Sequence, residues 1–386
     1  MTRITTNQLF NKLETKVLID KKNLYNILIS LKSSNLAIFC GQPGTWKKTL
    51  ALEIARHLKG KSHFINIDSP FYEKNNILWF RDTIHLIYRW TDTLKFIIQA
   101  SLDISTPYFL IINNFNYSRP ELYLNPIINE LDNLKKWKQS NKQTLFETMI
   151  KDKSEYEDLI NFLREFFWEN YFNFVSNNVI KNNILLPFDE IKWKRLQVYI
   201  QFTPNLKIIW LWDCDDAIGD ILSENILSKS QFIWFLNKDN LFNINLDNLD
   251  INLSNREINI LEKNPSTSIQ EITNSNNLSK TKLLLEGLQP LLKQINNKTI
   301  SIWTIEDIFT YIQNYLWQEL KDINENNKNF IDALDFQISQ KILSRINCDD
   351  LEKISKQNKN PLQNINNKIK NFRLSKKVIE YIENFC

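Results

Sequence analysis

The chain has 386 residues, 43% of them hydrophobic and 24% charged, with a formal net charge of +4. That length buries a full core and predicts two domains, or three, while so small a charge does not by itself argue for a nucleic-acid partner. No basic-apolar-cleavage pattern opens the sequence and no apolar run of roughly 18 residues occurs, which predicts a soluble, cytoplasmic protein without membrane contact. His57, His63 and His85 form no H-E-x-x-H or related cluster, which argues against a metalloenzyme. Cys40, Cys214, Cys348 and Cys386 lack metal-ligand spacing and read as buried or incidental thiols in a reducing compartment.

In chain order, residues 1–34 place Leu9, Leu13, Val17, Leu24, Leu28 and Leu31 at helical spacing, a helical lead-in. Asn35 to Cys40 reads as a buried strand. It runs into Gly41-Gln-Pro-Gly-Thr-Trp-Lys-Lys48 and then into a helical pattern, Thr49 to Leu58, closed by Lys59 and Gly60. Strand, Gly-containing turn, lysine and helix are the layout of a phosphate-binding loop, G-x-x-x-x-G-K-[ST]. A chance strand-turn-helix is the alternative. The chain has only five glycines, and two of them, Gly41 and Gly44, sit in this turn.

Two positions of the motif are altered. Its second glycine is Trp46, whose indole should obstruct phosphate or reorganise the loop. Its magnesium-ligating hydroxyl is Lys48, which brings charge but no oxygen ligand. Thr49 comes one residue late, about 100° further round the helix. Thr45 completes the turn, and Lys47 alone suits its usual role. The expected nucleotide site is therefore vestigial, formed by Gly41, Gly44, Thr45, Trp46, Lys47, Lys48 and Thr49.

His63 to Ile67 is a second short strand, making a βαβ unit. Ser69 to Phe80 reads as an aromatic-rich loop and Thr93 to Ala100 as a helix. After Pro107, Tyr108 to Asn116 is the most apolar strand, ending in polar residues as a central parallel strand does at a ligand crevice. Its end carries Asn113 and Asn114, amides where a working enzyme of this layout has an acid for Mg²⁺ and another for water. Helices are expected over 120–134 and 143–178. Lys135-Lys-Trp-Lys138 and Lys192-Trp-Lys-Arg195 either hold a single strand by phosphate contact and stacking or, the favoured reading, are turns with a tryptophan docked on the core. Leu206 to Asp213 is another buried strand. From Asp239 to Pro265 an irregular crossing is expected, followed by helices at Leu278–Lys293, Ile305–Lys321, Ile331–Ile346 and Lys376–Phe385.

The order of these pieces resembles the AAA+ family, specifically the McrB-like GTPase subunits of modification-dependent restriction systems. The likeness lies in the loop, in Asp68 to Phe80 with Tyr88-Arg-Trp-Thr91, in Pro107 to Asp132, in Pro204 to Ile209, in Leu222 to Phe235 and in Ala333 to Ile346. The resemblance spans roughly 30–385 and implies an α/β AAA+ P-loop core, a parallel sheet between helices, followed by a smaller α-helical lid. Its boundaries would be a lead-in at 1–34, a core at 35–238 with a helical insertion at about 137–200, and a lid at 239–386. It also implies that Asn113 and Asn114 replace the Walker B acids. Asp213 falls at the sensor-1 asparagine, where its charge would repel a γ-phosphate. Lys229 falls near an arginine offered to a neighbouring subunit, a role for which Arg256 and Arg345 are also candidates.

Mg²⁺ coordination, water activation, water positioning and loop geometry are altered together, and parts that act as a unit fail as a unit. The resulting expectation is a pseudo-NTPase that needs no cofactor beyond a vestigial GTP/ATP-Mg site, with no catalytic residue and no metal. It would serve as a non-catalytic subunit or adaptor among other AAA+ subunits, in a homo- or hetero-oligomer with a nuclease subunit and indirect or weak DNA contact. Two alternatives stand beside it. One is an active GTPase or ATPase using Thr49 and Asp213 or Asp215 as oxygen ligands. The other is a single-stranded nucleic-acid-binding module with steeply salt-dependent affinity.

Overall fold

The computed structural model describes residues 3–67, 77, 79–81, 88–115, 120–135, 143–167, 173–213, 222–235, 249–262, 264–265, 267–296, 299–346 and 361–385. Its centre is a five-stranded sheet of β1 (Leu36–Gly41), β2 (Lys61–Asn66), β3 (Tyr108–Asn113), β4 (Leu206–Asp213) and β5 (Gln231–Phe235). The order across the sheet is β5-β1-β4-β3-β2, with every pairing parallel. Parallel strands covered on both faces must be apolar throughout, and β1 is buried at every position. Because all five strands run one way, their carboxyl ends share one edge. Gly41 pairs with both Asp213 and Phe235, and Asn113 pairs with Asn66 and Leu211.

Helix α1 (Lys21–Ser33) begins at Asp20, whose carboxylate accepts from the Asn23 amide. Helix α2 (Lys47–His57) follows β1, and α3 (Pro120–Lys135) follows β3. At the end of α2 the left-handed residue is Lys59 (φ 53°), not Gly60. Gly60 is there for closeness: a Cβ on it would lie 2.6 Å from the Phe109 ring and 2.8 Å from the Pro107 carbonyl oxygen. The helix expected over 143–178 is instead a strand, Gln143–Met149, followed by a helix, Lys153–Phe167. The strand pairs antiparallel with Arg195–Ile200, a partner about fifty residues away that supplies hydrogen bonds local periodicity does not reveal.

Past β5, the described part of the C-terminal half is mostly helical, with α4 (Ile302–Leu316), α5 (Lys328–Gln337) and, continuing α5, a π-helical turn at Ile338–Ile342. The N-terminal lead-in packs into this half. Ile4–Thr5 pair with Glu257–Ile258, within the stretch expected to be an irregular crossing. Buried polar side chains then join α1 to α4 and the π turn. Tyr311 Oη donates to Asn26 Oδ1 at 2.6 Å, Gln340 Nε2 to the same oxygen at 2.8 Å, and Asn314 Nδ2 to Ser33 Oγ at 3.0 Å. Such groups are costly when unpaired, so they fix one arrangement of the two segments. The indole N–H of Trp234 on β5 donates to the Ser339 carbonyl at 2.9 Å, tying the sheet edge to the π turn.

Two features inside the sheet depart from an apolar core. Lys207 on β4 is buried, and desolvation lowers its ammonium to about 7. Cys40 is buried and disulfide-bonded, so the expectation of a free thiol fails at this position; Cys214, Cys348 and Cys386 lie outside the described residues. No described helix is long and apolar enough to cross a membrane.

Candidate functional site

The loop between β1 and α2 keeps the backbone its motif demands. Gly44 has φ +78° and Trp46 has φ 63°, ψ 10°, so the position where the motif carries glycine is left-handed here although a tryptophan fills it. A non-glycine residue in that region is disfavoured by about 1–2 kcal/mol. The indole is 41% exposed and makes no cap for α2, which places it at the surface rather than sealed inside the turn. Gly41 is required by packing, since a Cβ there would stand 2.2 Å from the Phe235 carbonyl oxygen.

Lys47, the first residue of α2, is buried and turns back into the loop. Its ammonium donates to the Gly41 carbonyl at 2.8 Å, the Gln42 carbonyl at 2.7 Å and Thr45 Oγ1 at 3.0 Å, and pairs with Asp213 Oδ1 at 2.7 Å. Thr45 is itself held, donating to the Gln42 carbonyl at 2.7 Å. The Gly41–Asp213 register across β1 and β4 is what brings that carboxylate beside the loop.

Lys48 points elsewhere, its Nζ 4.0 Å from the centre of the Phe64 ring on β2, a cation–π contact. Thr49 sits half-buried in the first turn of α2. At the end of β3, Asn113 Nδ2 donates to Asn66 Oδ1 at 2.8 Å. Asn114 is left-handed (φ 54°), a conformation asparagine tolerates better than most residues. The chain past it buries Phe115, stacked on Trp210 at 4.7 Å and edge-on to Trp212 at 5.6 Å. The asparagines thus make a neutral amide cluster at the strand ends, with a structural duty for Asn114.

These residues do not fit a Mg²⁺–nucleotide. The lysine is engaged by chain atoms, the hydroxyl position is a lysine turned onto Phe64, and the strand end offers amides where a cation wants carboxylates. Among the described residues no group of three or more His, Cys, Asp or Glu could hold a metal ion.

Of the candidates for action on a neighbour, Lys229 and Arg345 are turned inward, whereas Arg256 is exposed. Lys229 donates to the Ile128 carbonyl of α3 at 3.1 Å. Arg345 is fully buried, bonded to Glu224 at 2.7 Å and to Thr304 Oγ1 at 3.0 Å, which removes it from any role at a neighbouring subunit. The Arg256 guanidinium stands 4.6 Å from the centre of the Trp317 ring. Asp215 and Trp137 lie outside the described residues. Trp193 corrects an expectation: it is 59% exposed, left-handed at φ 68°, and not docked on the core. Sequence reasoning found Lys47 and Asp213 separately and missed that they meet.

Fold and loop together define an α/β protein with the frame of a phosphate loop and substituted ligand positions. A family model described as a domain of unknown function (DUF8727) matches residues 250–385, about a third of the chain and wholly within its C-terminal half. No curated protein matches the sequence. Among solved structures, the chain is similar to the 2.00 Å crystal structure of a "putative ATPase" from Cytophaga hutchinsonii ATCC 33406, at 10% identity and TM-score 0.47 over 94% of this chain and 93% of that one. A likeness that distant assigns no activity.

Proposed function

We propose that this chain is a catalytically inactive, McrB-like AAA+ protein whose C-terminal helices form the lid, retained as a non-catalytic subunit or adaptor. Its partners would be active AAA+ subunits, with a nuclease, in a DNA-targeting restriction or defence assembly. The assembly comes from the sequence resemblance alone. The observation that carries the inactive reading is the Lys47 ammonium, bonded to two loop carbonyls, Thr45 and the Asp213 carboxylate. Hydrolysis needs that charge, a bound metal and a positioned water together, and the amides at Asn113 and Asn114 supply neither negative charge nor a base.

Calorimetric titration with GTP and with ATP, each with and without Mg²⁺, tests it. No heat of binding and no phosphate release are expected. Mg²⁺-dependent binding at micromolar affinity followed by turnover would overturn the reading in favour of an active NTPase with rearranged ligands. A second reading, a single-strand-binding module, is favoured by the exposed Trp193 between Lys192 and Lys194, and is checked by quenching of tryptophan fluorescence with an oligonucleotide. Residues 143–200 carry nine acids against seven bases, which weighs against it.

A further inference from the structure

The loop already holds an anion of its own. An ammonium has three protons to give, and at least four oxygens stand within 3.0 Å of Lys47 Nζ. A phosphate oxygen could bond there only by displacing one of them. The Gly41 and Gln42 carbonyls belong to the backbone that ends β1, and Thr45 is fixed by its own bond to Gln42. Of the four, Asp213 alone carries charge, and its side chain is 44% exposed while Lys47 is 5%. It is therefore both the strongest partner and the one an incoming polyanion would meet first.

We infer that Asp213 is an intramolecular lock on the phosphate site: the carboxylate ending β4 occupies the Lys47 ammonium in place of a polyphosphate, and this contact, not the Trp46 indole, closes the loop. The inference rests on the vestigial-site reading and goes beyond it by naming what bars the ligand. The loop keeps left-handed backbone at Gly44 and Trp46, and α2 starts at Lys47, so the turn still leads into a helix N-terminus, where backbone amides favour an anion. A polyphosphate must part a charge-assisted pair whose ammonium is buried, and then lie beside the carboxylate it has freed. Both costs come from one residue.

The test compares the natural protein with Asp213→Asn and Trp46→Gly, titrated calorimetrically with tripolyphosphate, ATP and GTP, folding being checked by circular dichroism. Asp213→Asn should bind tripolyphosphate at least about tenfold more tightly than the natural protein, as removing a repelling, competing charge from a small site does, while Trp46→Gly should match the natural protein. An Asp213→Asn protein no tighter than the natural one overturns the lock, and so does a gain confined to Trp46→Gly. Binding by the natural protein would overturn the vestigial-site reading, and the lock would still stand if Asp213→Asn bound more tightly again. Should Asp213→Asn not fold, reductive methylation of the natural protein read by mass spectrometry decides. Lys47 should react at least about tenfold more slowly than its exposed neighbour Lys48, as a buried, paired amine does; equal rates would overturn the lock.

Discussion

Lys207 gives the sharpest test of how this core is built. It lies on β4 within Leu206–Asp213, a run otherwise apolar up to its last residue, and burial lowers its ammonium from 10.5 to about 7. The unfolded chain therefore binds a proton that the folded chain does not hold between those values, so stability rises with pH across the window and is lowest below it. The gap corresponds to about 5 kcal/mol at about 1.4 kcal/mol per unit, of which roughly 3 kcal/mol falls between about pH 6.5 and about pH 9.5. Methionine matches the stem of lysine and carries no charge. Urea unfolding of the natural protein and of Lys207→Met across that range should show the variant more stable at the acid end by several kcal/mol, with the difference shrinking steadily toward the alkaline end. Groups common to both proteins cancel in the comparison. Parallel curves would refute the reasoning, because they would mean that Lys207 keeps its proton on folding.

Trp46→Gly should stabilise the protein by about 1 kcal/mol, measured as a shift in thermal midpoint, since glycine takes the left-handed backbone without penalty; a loss of stability would show that the indole makes an essential contact. Asn205 is fully buried and its amide donates to the carbonyls of Ala100, Asp103 and Thr106 at 2.9–3.0 Å, so Asn205→Ala should cost roughly 2–3 kcal/mol in chemical denaturation. A cost under about half of one kcal/mol would mean those carbonyls find other donors.

Strands β1, β3 and β4 were legible because a strand buried on both faces must be an unbroken apolar run, and Leu36–Cys40, Tyr108–Ile112 and Ile208–Trp212 are such runs. The strand Gln143–Met149 was not, because what makes it a strand is a partner about fifty residues on. The turn's residues announced a phosphate loop, and the glycine they lacked is the one whose backbone geometry the chain still adopts. The Lys47–Asp213 pair was hidden for a different reason. Its members are far apart in sequence, and only the adjacency of β1 and β4 shows that they meet. From sequence, Asp213 was expected to repel a phosphate; in the fold it also takes the phosphate's partner. Lys207 lay in a run already read as a buried strand, but only the packed fold shows that its ammonium stays out of water.

The joining of α1 to α4 and the π turn has a consequence for how the chain is made. Asn26 meets Tyr311 and Gln340 at separations of 285 and 314 residues, and Ile4 and Thr5 pair with residues more than 250 positions on. During synthesis the lead-in leaves the ribosome long before those partners exist. At roughly 5–20 residues per second it waits on the order of 15 seconds or more, with the side chains of Leu24, Leu28 and Leu31 exposed to whatever is nearby. The environment of α1 is thus completed late, and a ribosome stalled before codon 302 would leave that apolar face as the nascent chain's point of capture by chaperones.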